Sequence, residues 1–379
     1  MTTPFAAFLA RPSARAWTTG PAPELLDFHR SIPGYAPTRL VELPPLAREL
    51  GASRVWVKEE SSRYGLPAFK MLGAAHAVAR ALSARLGVTD RPLPFDELTG
   101  RIAGTGVREI VAATDGNHGR AVAHCAALVG LPSRIFLPRG VSEQAIDGIR
   151  SEAAEVTVLD RPYDEVVAHA AQQAAADGSL LVQDTSWEGY EQIPAWIVEG
   201  YGSVLGEAAA QLHEAGAAVP SLVTAPTGVG AFAEAVVRSI RSGRFAQACG
   251  AEGAEAPQVV TVEPEAAPAL LTSLRADRPV SVATGRTIMA GLNCGTVASS
   301  SWPVLRAGVD MSTMVSDDAT ARAVHDLAAL GVDSGPCGAS SLAAVRLLEE
   351  QGQLPAGGNI LLVSTEGRAA NPLPEGLRA

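Results

Sequence analysis

Cysteine is scarce in this chain. Its four thiols, Cys125, Cys249, Cys294 and Cys337, are spread over 379 residues with no CxxC pair, and no two histidines have zinc-ligand spacing. That excludes a zinc ribbon or finger, assigns no residue to a metal, and leaves reduced, unpaired thiols in a reducing compartment. Basic charge is also short. Thirty Lys and Arg face forty Asp and Glu, for a net charge of -10. An acidic chain without a basic stripe is a poor partner for nucleic acid or an anionic membrane surface. No run reaches about 18 unbroken apolar residues, so no membrane span is expected. The N-terminal MTTPFAAFLARPSARAW has a short apolar patch with no basic segment ahead of it, unlike a signal peptide. A cytoplasmic protein is the expectation.

What is present is ample apolar material, 47% of residues, arranged in a repeating order. Short β-rich runs at 54–58, 109–113, 133–137, 156–159, 180–183, 221–225, 259–263 and 360–364 alternate with Ala-rich helical stretches, among them 71–86 and 119–128. This alternation predicts α/β architecture with parallel sheets. The Pro- and Gly-rich segments 91–106 and 275–286 read as connections. Ligands of open α/β sheets gather at the carboxyl ends of strands. The loops after Ala113, Gln183 and Ala225 therefore matter most.

Phe69-Lys70, inside RYGLPAFKMLGAAHAV, places a lysine in an apolar setting before a helix of small residues. Poor solvation there predicts a lowered pKa, and a neutral amine near pH 7 is the nucleophile that forms Schiff bases. The plainer alternative is a lysine snorkelling from a helix end. The loop Thr114-Asp115-Gly116-Asn117-His118-Gly119 has two glycines for close backbone approach and an amide suited to a phenolate oxygen. Asp115 reads either as a helix N-cap or as a working carboxylate. His118 reads as a packed, hydrogen-bonded ring. The loop from Gln183 repeats the choice for Asp184, with Trp187 and Tyr190 as anchors. Thr227-Gly228-Val229-Gly230-Ala231 joins a strand to a helix and forms a phosphate cradle through backbone N–H groups and the helix dipole. It is not a full GxGxxG, because Ala233 holds the third position, and no Walker lysine follows. A late glycine loop of this kind argues against a nicotinamide-binding oxidoreductase.

A Schiff-base lysine, a phosphate cradle and an amide for a ring oxygen, followed by the hydroxyls of Ser364-Thr365, meet the needs of pyridoxal 5'-phosphate. A hydroxyl facing the pyridine nitrogen makes a weaker electron sink than a carboxylate would, which suits elimination. The stretches AFKMLG, ATDGNHGRAVA, VQDTSWEGYEQIPAWIVEGY, VEPEAAP and IMAGLNCG resemble the fold type II, tryptophan synthase β-like, pyridoxal phosphate enzymes, and within them the diaminopropionate ammonia-lyases. The likeness runs from Gly34 to Gly367.

The resemblance implies two α/β domains, each with a twisted, mostly parallel sheet, and the cofactor in the cleft between them. It implies a large domain of 1–90 and 187–379, a small inserted domain of 91–186, and a homodimer acting on a small amino acid. It further implies that Lys70, beside Phe69, holds the cofactor as a Schiff base. Thr227, Gly228, Val229, Gly230 and Ala231 would take the phosphate, Asn117 the ring oxygen, and Ser364 the ring nitrogen with Thr365 next to it. Asp115 and Asp184 would manage the substrate amine and the Cα proton, with Lys70 and Asp115 serving opposite enantiomers. The reaction implied is α,β-elimination of 2,3-diaminopropionate to pyruvate and two ammonia. The chain departs from the family pattern at Pro67, at Pro226-Thr227, at Pro336-Cys337 and at Arg368. Those departures keep a serine or threonine dehydratase-like activity, or lysis of another β-substituted amino acid, as the alternative. A scaffold that kept only the fold would have been free to lose Lys70 or an aspartate.

Overall fold

The structure is a computed structural model that describes residues 7–175 and 178–377; residues 1–6 of the N-terminal segment lie outside them. Among the described residues, eleven strands form two sheets. In chain order they are β1 (Phe8–Ala10), β2 (Arg39–Glu42), β3 (Arg54–Glu59), β4 (Glu109–Ala113), β5 (Ser133–Pro138), β6 (Glu155–Leu159), β7 (Ser179–Leu181), β8 (Leu222–Pro226), β9 (Gln258–Pro264), β10 (Met311–Val315) and β11 (Asn359–Ser364).

The seven-stranded sheet has the order β1-β10-β9-β8-β11-β3-β2. Its five inner strands run parallel, and only the outermost pairings, β1 with β10 and β2 with β3, are antiparallel. Val, Ile and Leu dominate the inner strands β9 and β11 and start β8, as expected where helices cover both faces. Its core joins Val55 and Val57 of β3, Leu222 of β8, Val260 and Val262 of β9, and Ile360 and Leu362 of β11 to the helix Pro336–Glu350. The second sheet, β6-β5-β4-β7, is wholly parallel. Val111, Ala113 and Phe136 pack there on Val166, Val167 and Ala170 of the helix Tyr163–Ala174.

The chain divides into two compact units, one of Met1–Pro23, Pro37–Ser62 and Val204–Ala379, the other of Glu24–Ala36 and Arg63–Ser203. The second is wider than the 91–186 segment expected. The helix Met71–Arg85 belongs to it, with Gly73 fitted so closely to Tyr201 and Ile197 that a Cβ would collide with both. Two smaller expectations change. Residues 95–101 of the presumed connection are helical. The strand expected at 180–183 ends at Leu181, because the Gln183 side chain, not its backbone, accepts from the Ala113 N–H at 3.0 Å. No helix among the described residues is long and apolar enough to cross a membrane.

Candidate active site

The chain has two lysines, Lys58 and Lys70. Lys58 is the fully buried one: its side chain is 0% exposed, and Nζ donates to Glu207 at 2.8 Å, to the Thr38 carbonyl at 2.9 Å and to Gln211 at 2.9 Å. That amine is locked into the fold. Lys70 stands immediately before the helix Met71–Arg85, 23% exposed, with its Nζ 2.8 Å from Oδ2 of Asp184. The rings of Phe69 and Tyr201 lie 5.5 and 5.6 Å from the same nitrogen, a cation–π arrangement. The sequence-based expectation of a lowered pKa is overturned. Burial does push Lys70 down, but Asp184, Tyr201 and Asp115 outweigh it and the net shift is upward. The apolar neighbours are adjacent in the sequence; the carboxylate lies 114 positions away, and only the family resemblance pointed to it.

Asp184 follows β7, its side chain 8% exposed. Burial raises its pKa, while His118 and then Lys70 pull it down, to about 2. The loop is held by Tyr190, whose hydroxyl donates to the Leu181 carbonyl and accepts from the Gln183 N–H, both at 2.9 Å. Trp187 stacks on Tyr190 with centroids 4.4 Å apart. Both aromatics are loop anchors, as expected.

Asp115 is not a helix cap. Thr114 Oγ1 accepts from the N–H of Gly116 at 2.9 Å and of Gly119 at 3.0 Å, and Gly116, with φ 152, turns the chain into the helix Asn117–Leu128. A Cβ at Gly119 would collide with Thr114 and Ile135, so only glycine lets the helix start this close to β5. Asp115 keeps part of its surface open to solvent at the turn, while its carboxyl faces inward among the protein groups around Lys70. Desolvation raises its pKa, Lys70 lowers it and Asp184 raises it, with a net upward shift. Asn117 is the first residue of the helix rather than part of a free loop. The structure thus gathers Lys70, Asp115, His118 and Asp184 within the Glu24–Ala36 and Arg63–Ser203 unit.

The glycine loop and the serines lie in the other unit. Among the described residues, the N–H groups of Gly228, Val229 and Gly230 meet no carbonyl, while Gly230 takes φ 103 and the helix Ala231–Arg241 begins behind it. A Cβ at Gly228 would sit 2.9 Å from the Gly291 carbonyl oxygen and 3.1 Å from Cys294 Sγ. Unpaired N–H groups, a glycine held by close neighbours and a helix start are the donor set a phosphate needs. Thr227 differs from its loop: its N–H donates to Val262 and its hydroxyl to Ala225, so both donors serve the fold. Ser364, at the end of β11, donates to Ser334 Oγ at 2.8 Å. A Cβ at Gly338 would lie 2.6 Å from Ser364 Oγ and 2.9 Å from the Thr365 nitrogen, so this corner admits only glycine. Ser334, Gly338, Thr114 and Tyr201 were passed over in the sequence. The dense small residues of SGPCGASS were the available signal for the first two.

A parallel α/β chain with one accessible lysine amine, two carboxylates near it and an open glycine cradle has the parts of a vitamin B6 enzyme. The family described as pyridoxal-phosphate dependent enzyme matches residues 32–366, and the chain belongs to that family. It is 36% identical over 365 residues to the diaminopropionate ammonia-lyase of Salmonella typhimurium, covering 91% of this chain and 88% of that protein. It also matches crystal structures of the Escherichia coli diaminopropionate ammonia lyase at 30% identity, over 96% of this chain and 94% of that one. The TM-score is 0.81 for the complex with the aminoacrylate-PLP azomethine reaction intermediate and 0.83 for the complex with D-serine.

Proposed function

We propose that this chain is a pyridoxal-phosphate-dependent ammonia-lyase that eliminates the β-amine of 2,3-diaminopropionate, yielding pyruvate and two ammonia. The observation that carries the reading is that Lys70, of two lysines, alone has an amine not locked into the fold, and that amine meets Asp184 at 2.8 Å. Lys70 would hold the cofactor at its aldehyde, the Gly228–Ala231 backbone its phosphate, Asn117 its ring oxygen, and Ser364 beside Thr365 its ring nitrogen. The cofactor supplies an electron sink that acidifies the Cα–H bond. Lys70, once it has lost its proton, takes the Cα proton of one enantiomer. Asp115, with its raised pKa, is the stronger carboxylate base and takes that of the other. Asp184 stays ionised at neutral pH and keeps the β-amine protonated, which makes it a better leaving group. The Ser364 hydroxyl puts no negative charge at the ring nitrogen, in keeping with elimination.

The reading extends to a small domain containing at least 91–186 and to a homodimer. It also extends to a cytoplasmic setting, in keeping with the scarcity of cysteine. Borohydride reduction of the loaded protein, followed by peptide mass spectrometry, should place the pyridoxyl group on Lys70; an adduct on Lys58 would overturn the site. Both enantiomers of diaminopropionate should then give one pyruvate per two ammonia. Turnover of serine or threonine with none of diaminopropionate would overturn the substrate and leave the cofactor site standing.

A further inference from the structure

His118 sits in the first turn of the helix Asn117–Leu128, 3% exposed. Its Nε2 meets the Val182 carbonyl at 2.9 Å. A carbonyl can only accept, so Nε2 carries the ring proton and Nδ1 presents a lone pair. Nδ1 is buried and makes no hydrogen bond. It lies 3.8 Å from Asp184 Oδ2, the same oxygen that Lys70 Nζ reaches at 2.8 Å. A lone pair aimed at a carboxylate oxygen is unfavourable until a proton stands between them, and Lys70 brings one. The other titratable groups facing the pair are Asp115 from the loop after β4, Tyr190 from the loop after β7 and Tyr201 from the helix Gln192–Glu214. Burial raises the pKa of both tyrosines, so neither is a base at neutral pH. Burial likewise lowers that of His118, against the pull of Asp184.

We propose that His118 is a positioning residue that receives the proton of Lys70 through Asp184 Oδ2, holds it at Nδ1 while Lys70 acts as an amine, and returns it by the same path. The proposal rests on the roles given above to Lys70 and Asp184. The Lys70 N–H bond breaks with its electron pair staying on nitrogen. The proton passes to Oδ2 and then to Nδ1 as the O–H bond breaks. Ammonium, carboxylate and imidazole become amine, carboxylate and imidazolium, with no oxidant or co-reactant. On return, the proton passes from Nδ1 through Oδ2 back to the Lys70 amine, and ammonium, carboxylate and imidazole are restored; the β-nitrogen, already protonated, leaves with the C–N electron pair as ammonia. The 3.8 Å gap shortens by a small ring movement, as catalytic contacts commonly do once the site is engaged.

The test compares His118→Gln, His118→Asn and Asp184→Asn with the parent. Glutamine can keep a donor for Val182 but has no titrating nitrogen, and asparagine puts an amide near Nδ1. Both should load cofactor on the order of a hundredfold more slowly near neutral pH. The pH dependence of the visible band of the loaded protein should shift, and kcat should fall far more than KM changes. A purely structural role would move the thermal midpoint and leave those pH profiles in place. Parent-like loading and pH profiles in both His118 variants, with Asp184→Asn crippled, would overturn the relay alone. A parent-like Asp184→Asn would overturn the reading of the site itself. Should both His118 variants misfold, the unmodified protein labelled with 15N-histidine decides. One of its seven rings should be a neutral Nε2–H tautomer that shifts on loading; seven unresponsive rings would overturn the proposal.

Discussion

At the scale of single residues, Thr114 and Asp115 divide two jobs that the sequence left to one of them. Thr114 satisfies two N–H groups at the helix entrance, and Asp115 satisfies none there. Thr114→Val keeps the side-chain shape but removes that acceptor, and urea unfolding should show a loss of about 1–2 kcal/mol. Asp115→Asn should stay within about 0.5 kcal/mol of the parent, while turnover falls unequally for the D and L substrates. A stability loss for Asp115→Asn equal to that of Thr114→Val would return Asp115 to a capping role. The residue types of the site were legible, because Asp-Gly-Asn-His-Gly and Ala-Phe-Lys are unusual strings. Their charges were not. The pairing of Lys70 with Asp184 arises from folding, and no local window contains it. The shortage of lysine was legible and would have singled out Lys70 sooner.

At the scale of elements, β-branched runs identified the parallel inner strands of the larger sheet, except β10. Edge strand β1 is only three residues long and edge strand β2 reads RLVE, two apolar residues between two charged ones, so neither forms a long apolar run. β10 reads MSTMV, with two polar and two flexible side chains among five. Helix ends depend on distant partners in the same way. Glu263, at the end of β9 and almost fully buried, accepts from the N–H of Leu270 at 2.7 Å and of Leu271 at 2.8 Å, closing the start of the helix Ala269–Ala276. Burial pushes its carboxyl up to about 8, against the pull of those N–H groups. A carboxyl whose pKa is higher folded than unfolded contributes stability that is full below its ordinary value of 4.5 and is lost as pH rises through about 8. Glu263→Gln should flatten that decline in thermal melts. Glu263→Ala should cost about 1–3 kcal/mol at any pH, because two N–H groups lose their acceptor.

At the scale of the whole molecule, the α/β class and the family could be read from strand alternation and motif strings, but the extent of the compact units could not. Glu24–Ala36 joins the later unit because Phe28 meets the rings of His76 at 5.8 Å and Phe95 at 6.3 Å. His29 also bonds the Leu72 carbonyl and Ser203. Contiguity along a chain carries no trace of such returns. His76 also shapes the response to acid. It is buried, its Nδ1 lies 2.8 Å from the Trp196 carbonyl, and burial lowers its pKa to about 4. Its contribution is full above the ordinary value of 6.5 and is lost as pH falls through about 4, since the unfolded chain binds the proton first. Melting temperature should therefore drop between about pH 7 and about pH 5, less steeply in His76→Asn. An identical slope in that variant would assign the acid response to other groups.

The acid–base quartet belongs to one compact unit, whereas the glycine cradle and the Ser334–Ser364 corner belong to the other. Inheritance can therefore rewrite reactivity and anchorage on separate stretches of gene. Of the departures from the family pattern, Pro226-Thr227, Pro336-Cys337 and Arg368 fall on the anchoring stretch, and Pro67 alone falls on the stretch that carries the acids and bases.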